Sequence, residues 1–349
     1  MFHRFFAWRK PFSTTLLALA ALAFSLVTVN GAPTTASASG SDDPIAQAIA
    51  QAKRTGQVVD IPAMFTETSR LAANPNGTLV ASISSGPTQV PSESSPDGWA
   101  PIDLRLQRTD DGFQPAVSAA VTTFSNGGAG AAATLADGSN QFTEGWSGSL
   151  PPPVVSGDTA TYANIQEGVD LKLQARVAGY EQTFIVKEVP QDQLVLDVPL
   201  SLEGLTASVD DAGALVVTDA HGDPVATSGT AMMWGADVDP ATGEPVDTAA
   251  VDTAIVDEQD GPVMRIRPDR SFITEATVPV TIDPSPNLAV STDTYVGSGQ
   301  PDASFSTDAV LKSGLASSGN VQRTLLAFPD VAGLTSGGPI HVTSATLNL

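Results

Sequence analysis

The sequence predicts a mainly β protein, built as a sandwich or barrel. Short runs of β-branched and apolar residues recur from Val58 onward, and each has about the length of a single strand. Turn-forming pairs such as Asn76-Gly77 and Asp111-Gly112 separate these runs. The chain has no cysteine, so its stability must come from hydrophobic cores and not from disulfides. Its 349 residues are enough for two such cores.

The first 38 residues have the features of a signal peptide. Basic residues precede an apolar run at residues 16–29, and Ala36-Ser37-Ala38 has the small-x-small pattern of a cleavage site. The apolar run is shorter than the roughly 20 residues that a membrane-spanning helix needs. We therefore expect residues 1–38 to be removed and the mature protein to be secreted, either extracellular or associated with the cell wall. We expect no membrane contact after cleavage.

The net charge argues against some classes of partner. The chain carries 16 basic and 38 acidic residues, for a formal charge of −22. Loss of Arg4, Arg9 and Lys10 with the signal peptide makes the mature chain more acidic still. Nucleic acid and anionic lipid require basic patches, so neither is an expected partner. The acidic surface is compatible with Ca²⁺, a cation that prefers oxygen ligands.

One short helix is expected in the linker at residues 39–57, near the mature N-terminus. Asp43 has the residue type of an N-cap, and Pro44 suits the first helical position. Ile45 and Ile49 recur at helical spacing, and Gly56 ends the pattern. We interpret this segment as a spacer helix that carries no chemistry.

Residues 58–283 form the predicted β-rich N-terminal domain. Its strand-like runs are short and lie at residues 78–83, 102–106, 116–124, 169–177, 182–187, 194–198, 205–209, 215–218, 263–266 and 278–282. The clearest hairpin joins residues 205–209 to residues 214–218, because Gly213 in its loop tolerates a left-handed backbone. Residues 126–133 are rich in Gly and Ala and predict a loop, and the acidic residues 238–258 predict a solvated excursion.

A proline-containing linker at residues 284–287 leads into a last module at residues 288–349. Its sequence signatures are Asp293-Thr294-Tyr295-Val296, Gln322-Arg323-Thr324-Leu325-Leu326 and Ser344-Ala345-Thr346-Leu347. They resemble the opening half of a DNRLRE domain, a β-sandwich module related to carbohydrate-binding modules. The chain stops within a strand-like run, so we expect the module to be incomplete and the gene product to be longer.

The preceding domain also resembles a known type of protein. The segments that carry the resemblance are Ala73-Asn74-Pro75-Asn76-Gly77, Gly98-Trp99, Tyr162-Ala163-Asn164-Ile165, Met233-Trp234 and Val280-Thr281-Ile282-Asp283-Pro284. Their order is similar to that in the N-terminal region of secreted actinobacterial RHS/YD-repeat and polymorphic-toxin-type proteins. The resemblance implies secretion, a β-sandwich-like N-terminal domain and a partial jelly-roll module at residues 288–349. It implies no catalytic residue in this chain.

No catalytic constellation is recognised in the sequence. The mature chain has two histidines, His221 in a turn and His341 near the end, and we interpret both as ordinary surface or strand residues. No nucleophile elbow of the Gly-x-Ser-x-Gly type is present. Glu167 and Asp170 bracket a turn glycine and are interpreted as structural carboxylates rather than as a glycosidase pair. We therefore predict no catalytic site within this chain.

Calcium is the one cofactor that the sequence suggests. Asp237 and Asp239 space oxygen ligands like half of an EF-hand loop that ends at Gly243, although the third ligand and the twelfth-position Glu are missing. Asp293 lies near the start of the last module, where related sandwiches hold a structural Ca²⁺. Asp237, Asp239 and Asp293 are therefore the candidate metal ligands, and a solvated acidic loop is the alternative.

Aromatic residues suggest a ligand site of a second kind. Sugar-binding surfaces use an exposed aromatic ring with polar neighbours, and Tyr295 is the candidate in the last module. Trp99, Trp146 and Trp234 each lie beside or near glycine, which indicates rings that fill a core at a turn.

Together these features predict a non-catalytic secreted or cell-surface scaffold with a carbohydrate-binding-like module, whose partner is a cell-wall or extracellular polysaccharide. Two alternatives stay open. The chain is also consistent with the carrier part of an RHS-type polymorphic toxin whose active domain lies elsewhere. It is likewise consistent with the targeting region of an extracellular polysaccharide-degrading enzyme.

Overall fold

The computed structural model describes residues 2–3, 43–84, 86–137, 140–177, 179–210, 213–222, 224–240, 245–284, 294–298, 314–315 and 321–325. Within these ranges the fold is mainly β, with several antiparallel sheets and a short helix near the N-terminus, as the sequence predicts. The chain divides into two compact units. The larger contains the described residues of 1–6, 65–69 and 82–349, and the smaller contains those of 7–64 and 70–81.

The smaller unit begins with the expected helix. Strand β1 (Phe2–His3) belongs to the larger unit, and helix α1 (Pro44–Thr55) is the first element of the smaller one. The Asp43 side chain accepts a hydrogen bond from the Ile45 backbone at 3.0 Å, and Gly56 ends the helix with a φ of 71°. The smaller unit also contains β2 (Val59–Asp60), a 3-10 turn at Pro62–Met64, and most of β3 (Ser69–Ala73) and β4 (Leu79–Ile83). These strands form a sheet in the order β2-β3-β4.

Two long antiparallel sheets dominate the larger unit. Its remaining strands before the linker are β5 (Gln89–Pro91), β6 (Trp99–Pro101), β7 (Asp103–Arg108), β8 (Phe113–Val117), β9 (Val121–Phe124), β10 (Gly128–Asp137), β11 (Asn140–Leu150), β12 (Val154–Ser156), β13 (Thr159–Gln166), β14 (Val169–Arg176), β15 (Gly179–Val186), β16 (Leu196–Glu203), β17 (Leu205–Val209), β18 (Ala214–Asp219), β19 (Pro224–Thr230), β20 (Met232–Trp234), β21 (Thr248–Ala250), β22 (Asp252–Glu258), β23 (Gly261–Arg267) and β24 (Val280–Asp283). A second short helix, α2 (Arg270–Glu275), was not predicted and precedes β24.

The two sheets share one hydrophobic core. The first sheet has the order β12-β13-β14-β15-β24-β20-β21, with β1 beside β15, and the second has the order β22-β23-β16-β11-β10-β9-β8-β7. Phe124 meets Tyr180 edge-on at 5.8 Å between ring centroids, and Trp146 lies 6.0 Å from Phe184. Each of these pairs joins one sheet to the other, so the arrangement is sandwich-like.

Alternation along the strands decides which side chains enter this core. In β14 (Val169–Arg176), buried and half-buried residues alternate without exception. Its buried members are Val169, Leu171, Leu173 and Ala175, and each is at most 1% exposed. A period of two is what a strand with one buried face requires, because successive side chains point to opposite faces.

The predicted hairpin is present. Strands β17 and β18 pair from Leu205 with Asp219 to Val209 with Leu215. Gly213 has a φ of 82° and donates its N–H to the Asp210 carbonyl at 3.0 Å. The left-handed backbone at this position is the reason that glycine is needed there. Strand β19 extends the hairpin to a three-stranded sheet.

Three sequence-based predictions of local structure are wrong. Residues 126–133 were expected to form a loop, but β10 begins at Gly128 and pairs with both β9 and β11. The acidic stretch 238–258 was expected to be a solvated excursion, but it contains β21 and β22. The run at residues 116–124 was expected to be one strand, but it is divided between β8 and β9. In all three cases the neighbouring strands, and not local composition, decide the conformation.

The last module is described only in part. Its strands β25 (Thr294–Gly297), β26 (Gly314–Leu315) and β27 (Val321–Leu325) form an antiparallel sheet in the order β25-β27-β26. The jelly-roll topology therefore stays a prediction. Most of the predicted signal peptide and residues 285–287 of the predicted linker lie outside the described residues.

Candidate functional site

The structure describes three of the four residues considered for catalysis, His221, Glu167 and Asp170. His221 is exposed in a turn, where its backbone N–H donates to Asp219 Oδ1 at 2.8 Å and its Nδ1 lies 3.6 Å from Asp219 Oδ2. Glu167 is exposed in the turn before β14. His341 lies outside the described residues.

Asp170 belongs to a polar cluster on the outer face of the first sheet. Its Oδ1 accepts the Asn164 backbone N–H at 2.7 Å and lies 2.6 Å from Lys187 Nζ. Lys187 Nζ also donates to Asn164 Oδ1 at 2.8 Å. We call Asn164, Asp170 and Lys187 the outer cluster. It holds a β-bulge in place, because Asn164 has a φ of 53° where the register between β13 and β14 shifts.

The outer cluster contains the groups that amide-bond formation between side chains would need, but Asn164 and Lys187 are open to solvent. The Lys187 amine lies within hydrogen-bond distance of both the Asn164 carboxamide and the Asp170 carboxylate. However, Asn164 is exposed, and the Lys187 side chain is 37% exposed. An ammonium ion that is solvated and paired with a carboxylate is not a nucleophile. The cluster therefore fixes the backbone.

The candidate calcium ligands are only partly described. Asp237 Oδ2 accepts a hydrogen bond from Thr277 Oγ1 at 2.6 Å, and the Asp237 carbonyl accepts from the Val246 N–H at 3.0 Å. Asp239 is half-buried, while residues 241–244 and Asp293 lie outside the described residues. Among the residues that are described, no three acidic or histidine side chains are grouped as metal ligands. Calcium binding stays a prediction, which calorimetric titration of the wild type and of Asp237→Asn would test.

The structure describes the surroundings of the three candidate tryptophans but not those of the Tyr295 side chain. Tyr295 lies on β25 opposite Thr324, and its side chain is outside the described part of the structure. Trp146 is buried in the middle of β11, not at a turn. Trp99 is half-buried and lies 6.4 Å from Phe65. Trp234 is half-buried on β20 beside the buried Met233.

A cavity of about 280 Å³ opens beside β8 and β9. Its lining comes from Val90 and from residues between Gln114 and Thr122. None of the lining side chains is an acid, a base or a thiol, so the lining offers hydroxyl and amide groups for hydrogen bonding but no general acid or base.

The most unusual group in the described structure is one that the sequence did not single out. Glu144, in the middle of β11, has no exposed surface. Tyr180 on β15 of the opposite sheet donates its hydroxyl to Glu144 Oε2 at 2.9 Å, and Tyr180 is also completely buried. The other carboxyl oxygen, Glu144 Oε1, has no hydrogen-bond partner among the described residues. We call Glu144 and Tyr180 the inner pair.

Burial controls the protonation of the inner pair. Removal from water raises the pKa of Glu144 from its ordinary 4.5 to about 7, and the hydrogen bond from Tyr180 opposes this rise. Burial also raises the pKa of Tyr180 well above its ordinary value, and the adjacent Glu144 adds to this effect. The phenol therefore stays protonated, and Glu144 changes its charge near neutral pH.

Strand alternation is the sequence signal that could have found Glu144. Phe142, Glu144 and Trp146 share one face of β11, and both aromatic neighbours are buried. The same argument places Tyr180, the buried Gln182 and Phe184 on one face of β15. Gly and polar residues in β11 concealed this alternation.

Comparisons of the sequence with family models and with curated proteins, and of the fold with solved structures, found no match. None of the helices in the described part of the chain is long and apolar enough to cross a bilayer.

Proposed function

We propose that this protein is a non-catalytic scaffold, secreted or held at the cell surface, with a carbohydrate-binding-like module at residues 288–349. The observation that supports this proposal is the way in which charged side chains pair with one another in the sandwich. In the described β domain, several of them connect neighbouring strands. Reactive groups would instead need to converge on a space that a substrate can enter.

Arg265 on β23 shows this use most clearly. Its Nε donates to Asp197 Oδ1 at 2.6 Å on the neighbouring strand β16, and its Nη2 donates to Glu258 Oε1 at 2.6 Å on β22. One guanidinium thus ties three adjacent strands of the second sheet together. Arg176 and Glu181 pair across the hairpin of β14 and β15 in the same manner.

The partner expected from the sequence is a wall or extracellular polysaccharide, and Tyr295 is the residue proposed to contact it. Aromatic rings bind sugars by stacking, which needs the ring more than the hydroxyl. Retention of the purified protein on insoluble cell-wall polysaccharide is the direct test. We expect the wild type to be retained, Tyr295→Ala to be lost in the wash, and Tyr295→Phe to be retained as the matched control.

The same samples distinguish binding from catalysis. Release of soluble sugar from the polysaccharide is measured in parallel, and we expect none above a protein-free blank. Sugar release that one substitution abolishes would contradict the scaffold proposal and favour an enzyme. Equal retention of the wild type and Tyr295→Ala would remove Tyr295 from the binding surface, and no retention of any variant would contradict the polysaccharide partner.

A further inference from the structure

A carboxyl group inside a hydrophobic core is costly unless it is neutral or fully hydrogen-bonded. Glu144 is completely buried and has one partner for its two oxygens. Its neighbours on the adjacent strands of the second sheet are Ala133 and Leu200, which offer no side-chain hydrogen bond. The surroundings therefore suit the neutral acid far better than the carboxylate.

The charged and titratable groups around Glu144 are few. Tyr180 faces it from the first sheet and donates the hydrogen bond that the carboxyl accepts. Arg176 and Glu181 lie close to Tyr180 in sequence, but they pair with each other on the other face of β14 and β15. Among the residues that the structure describes, no lysine or arginine thus acts on Glu144 to balance its carboxylate.

A charge on Glu144 would affect the contact between the two sheets, because the residue lies between them. It lies on β11, and its one hydrogen-bond partner lies on β15, the central strands of the two opposed sheets. Phe124 packs edge-on against Tyr180, and Trp146 packs against Phe184 beside them. A charge placed here must either draw water between the sheets or stay unsolvated, and both outcomes weaken the contact between them.

We propose that the inner pair is a proton-operated latch, which holds the two sheets together when Glu144 is protonated and loosens them when it ionises. The direction of the effect follows from linkage. An unfolded glutamate loses its proton near pH 4.5, whereas burial keeps the folded one protonated to about pH 7. Between these values the folded state binds the additional proton, so the sandwich loses stability as the pH rises through this window. Above about pH 7, Glu144 is ionised in both the folded and the unfolded state, so it causes no further loss of stability.

The test compares thermal unfolding between about pH 5 and about pH 8 for the wild type, Glu144→Gln and a control. Glutamine keeps the shape and the hydrogen bond from Tyr180 but has no proton to lose. We expect the wild type to lose stability relative to Glu144→Gln by up to about tenfold in the unfolding equilibrium constant for each pH unit in the window. Glu167→Gln, which changes an exposed glutamate in the same sandwich, should keep the wild-type profile.

Two further measurements keep the proposal testable if Glu144→Gln does not fold. In Tyr180→Phe the carboxyl loses the one hydrogen-bond partner that it has among the described residues, so the pH-dependent loss should begin at the same pH but extend to higher pH and become larger. Carbon-13 NMR of the glutamate carboxyl in the folded wild type should show one group that titrates near neutral pH and disappears in Glu144→Gln. A Glu144 carboxyl that titrates near its ordinary value, or parallel pH profiles of the wild type and Glu144→Gln, would overturn the latch.

Discussion

The two faces of strand β15 hold polar groups at similar distances in opposite surroundings. On the inner face, the Tyr180 hydroxyl lies 2.9 Å from Glu144. On the outer face, Lys187 directly follows the strand and lies 2.6 Å from Asp170 and 2.8 Å from Asn164. The inner pair has no contact with solvent, whereas the Lys187 side chain is 37% exposed. The distances alone therefore do not distinguish the outer cluster from the inner pair.

Burial separates them. Water screens the charges of the outer cluster and hydrates whichever group loses its partner, so each bond there contributes little to stability. In the core no water replaces a lost bond, and an ionised group that is left alone carries its full desolvation cost. The inner pair should therefore respond strongly to substitution and to pH, while the outer cluster should respond weakly and mainly to salt.

Tyr180→Ala should give the largest effect. It removes a completely buried aromatic ring that packs against Phe124, and it leaves both oxygens of Glu144 without a partner. Removal of a large buried ring costs about 3–5 kcal/mol, and we expect the free energy of unfolding to fall by that amount. Denaturant titration at constant pH measures it. A loss of less than about 1 kcal/mol would mean that the core closes around the vacancy and that the inner pair is not its centre.

Tyr180→Phe sharpens the comparison because it removes the hydroxyl alone. At about pH 8 the lost bond is one to a carboxylate and should cost about 2 kcal/mol, while at about pH 5 it is one between neutral groups and should cost about 1 kcal/mol. Unfolding of the variant and the wild type is compared at both pH values. Equal losses at the two values would show that Glu144 does not change its charge between them.

The contrast also shows which parts of the molecule were readable from the sequence. Helix α1 was predicted from residues that act locally, since the Asp43 cap and the Gly56 terminator lie within or next to the helix. The hairpin of β17 and β18 was readable for the same reason, because Gly213 fixes the turn by its own backbone. Such features need no knowledge of the rest of the fold.

Strand β10 was misread because nothing local makes it a strand. Its Gly and Ala residues have weak strand preference, and it forms because β9 and β11 supply hydrogen bonds on both sides. The small buried Ala132 and Ala133 occupy this central position. Glu144 was missed because Thr143 and Gly145 beside it concealed the alternation that places it with Phe142 and Trp146 on the buried face of β11.

Asn164→Ala breaks the outer cluster through the backbone. Asn164 has a φ of 53°, a left-handed conformation that asparagine and glycine adopt more readily than alanine does. Both Asn164→Ala and Asn164→Gly remove the bond to Lys187, so the difference between them isolates the backbone strain. We expect Asn164→Ala to be less stable than Asn164→Gly by about 1 kcal/mol in denaturant titration. Equal stabilities would mean that the bulge relaxes.

Asp170→Asn should have the smallest effect on the free energy of unfolding, because it removes one partly exposed ion pair. Asparagine keeps an oxygen that can accept the Asn164 N–H, so the substitution removes the charge that faces Lys187 and little else. We expect a loss of less than about 1 kcal/mol at low ionic strength.

Salt should affect the stability losses of variants on the two faces of β15 differently. At about 1 M salt the screening length falls to about 3 Å, so the difference between Asp170→Asn and the wild type should disappear. The loss in Tyr180→Phe should persist at the same salt concentration, because ions do not enter the core that surrounds Glu144. If salt reduced both losses equally, solvent would have to reach the inner pair, and burial would no longer account for the raised pKa of its carboxyl.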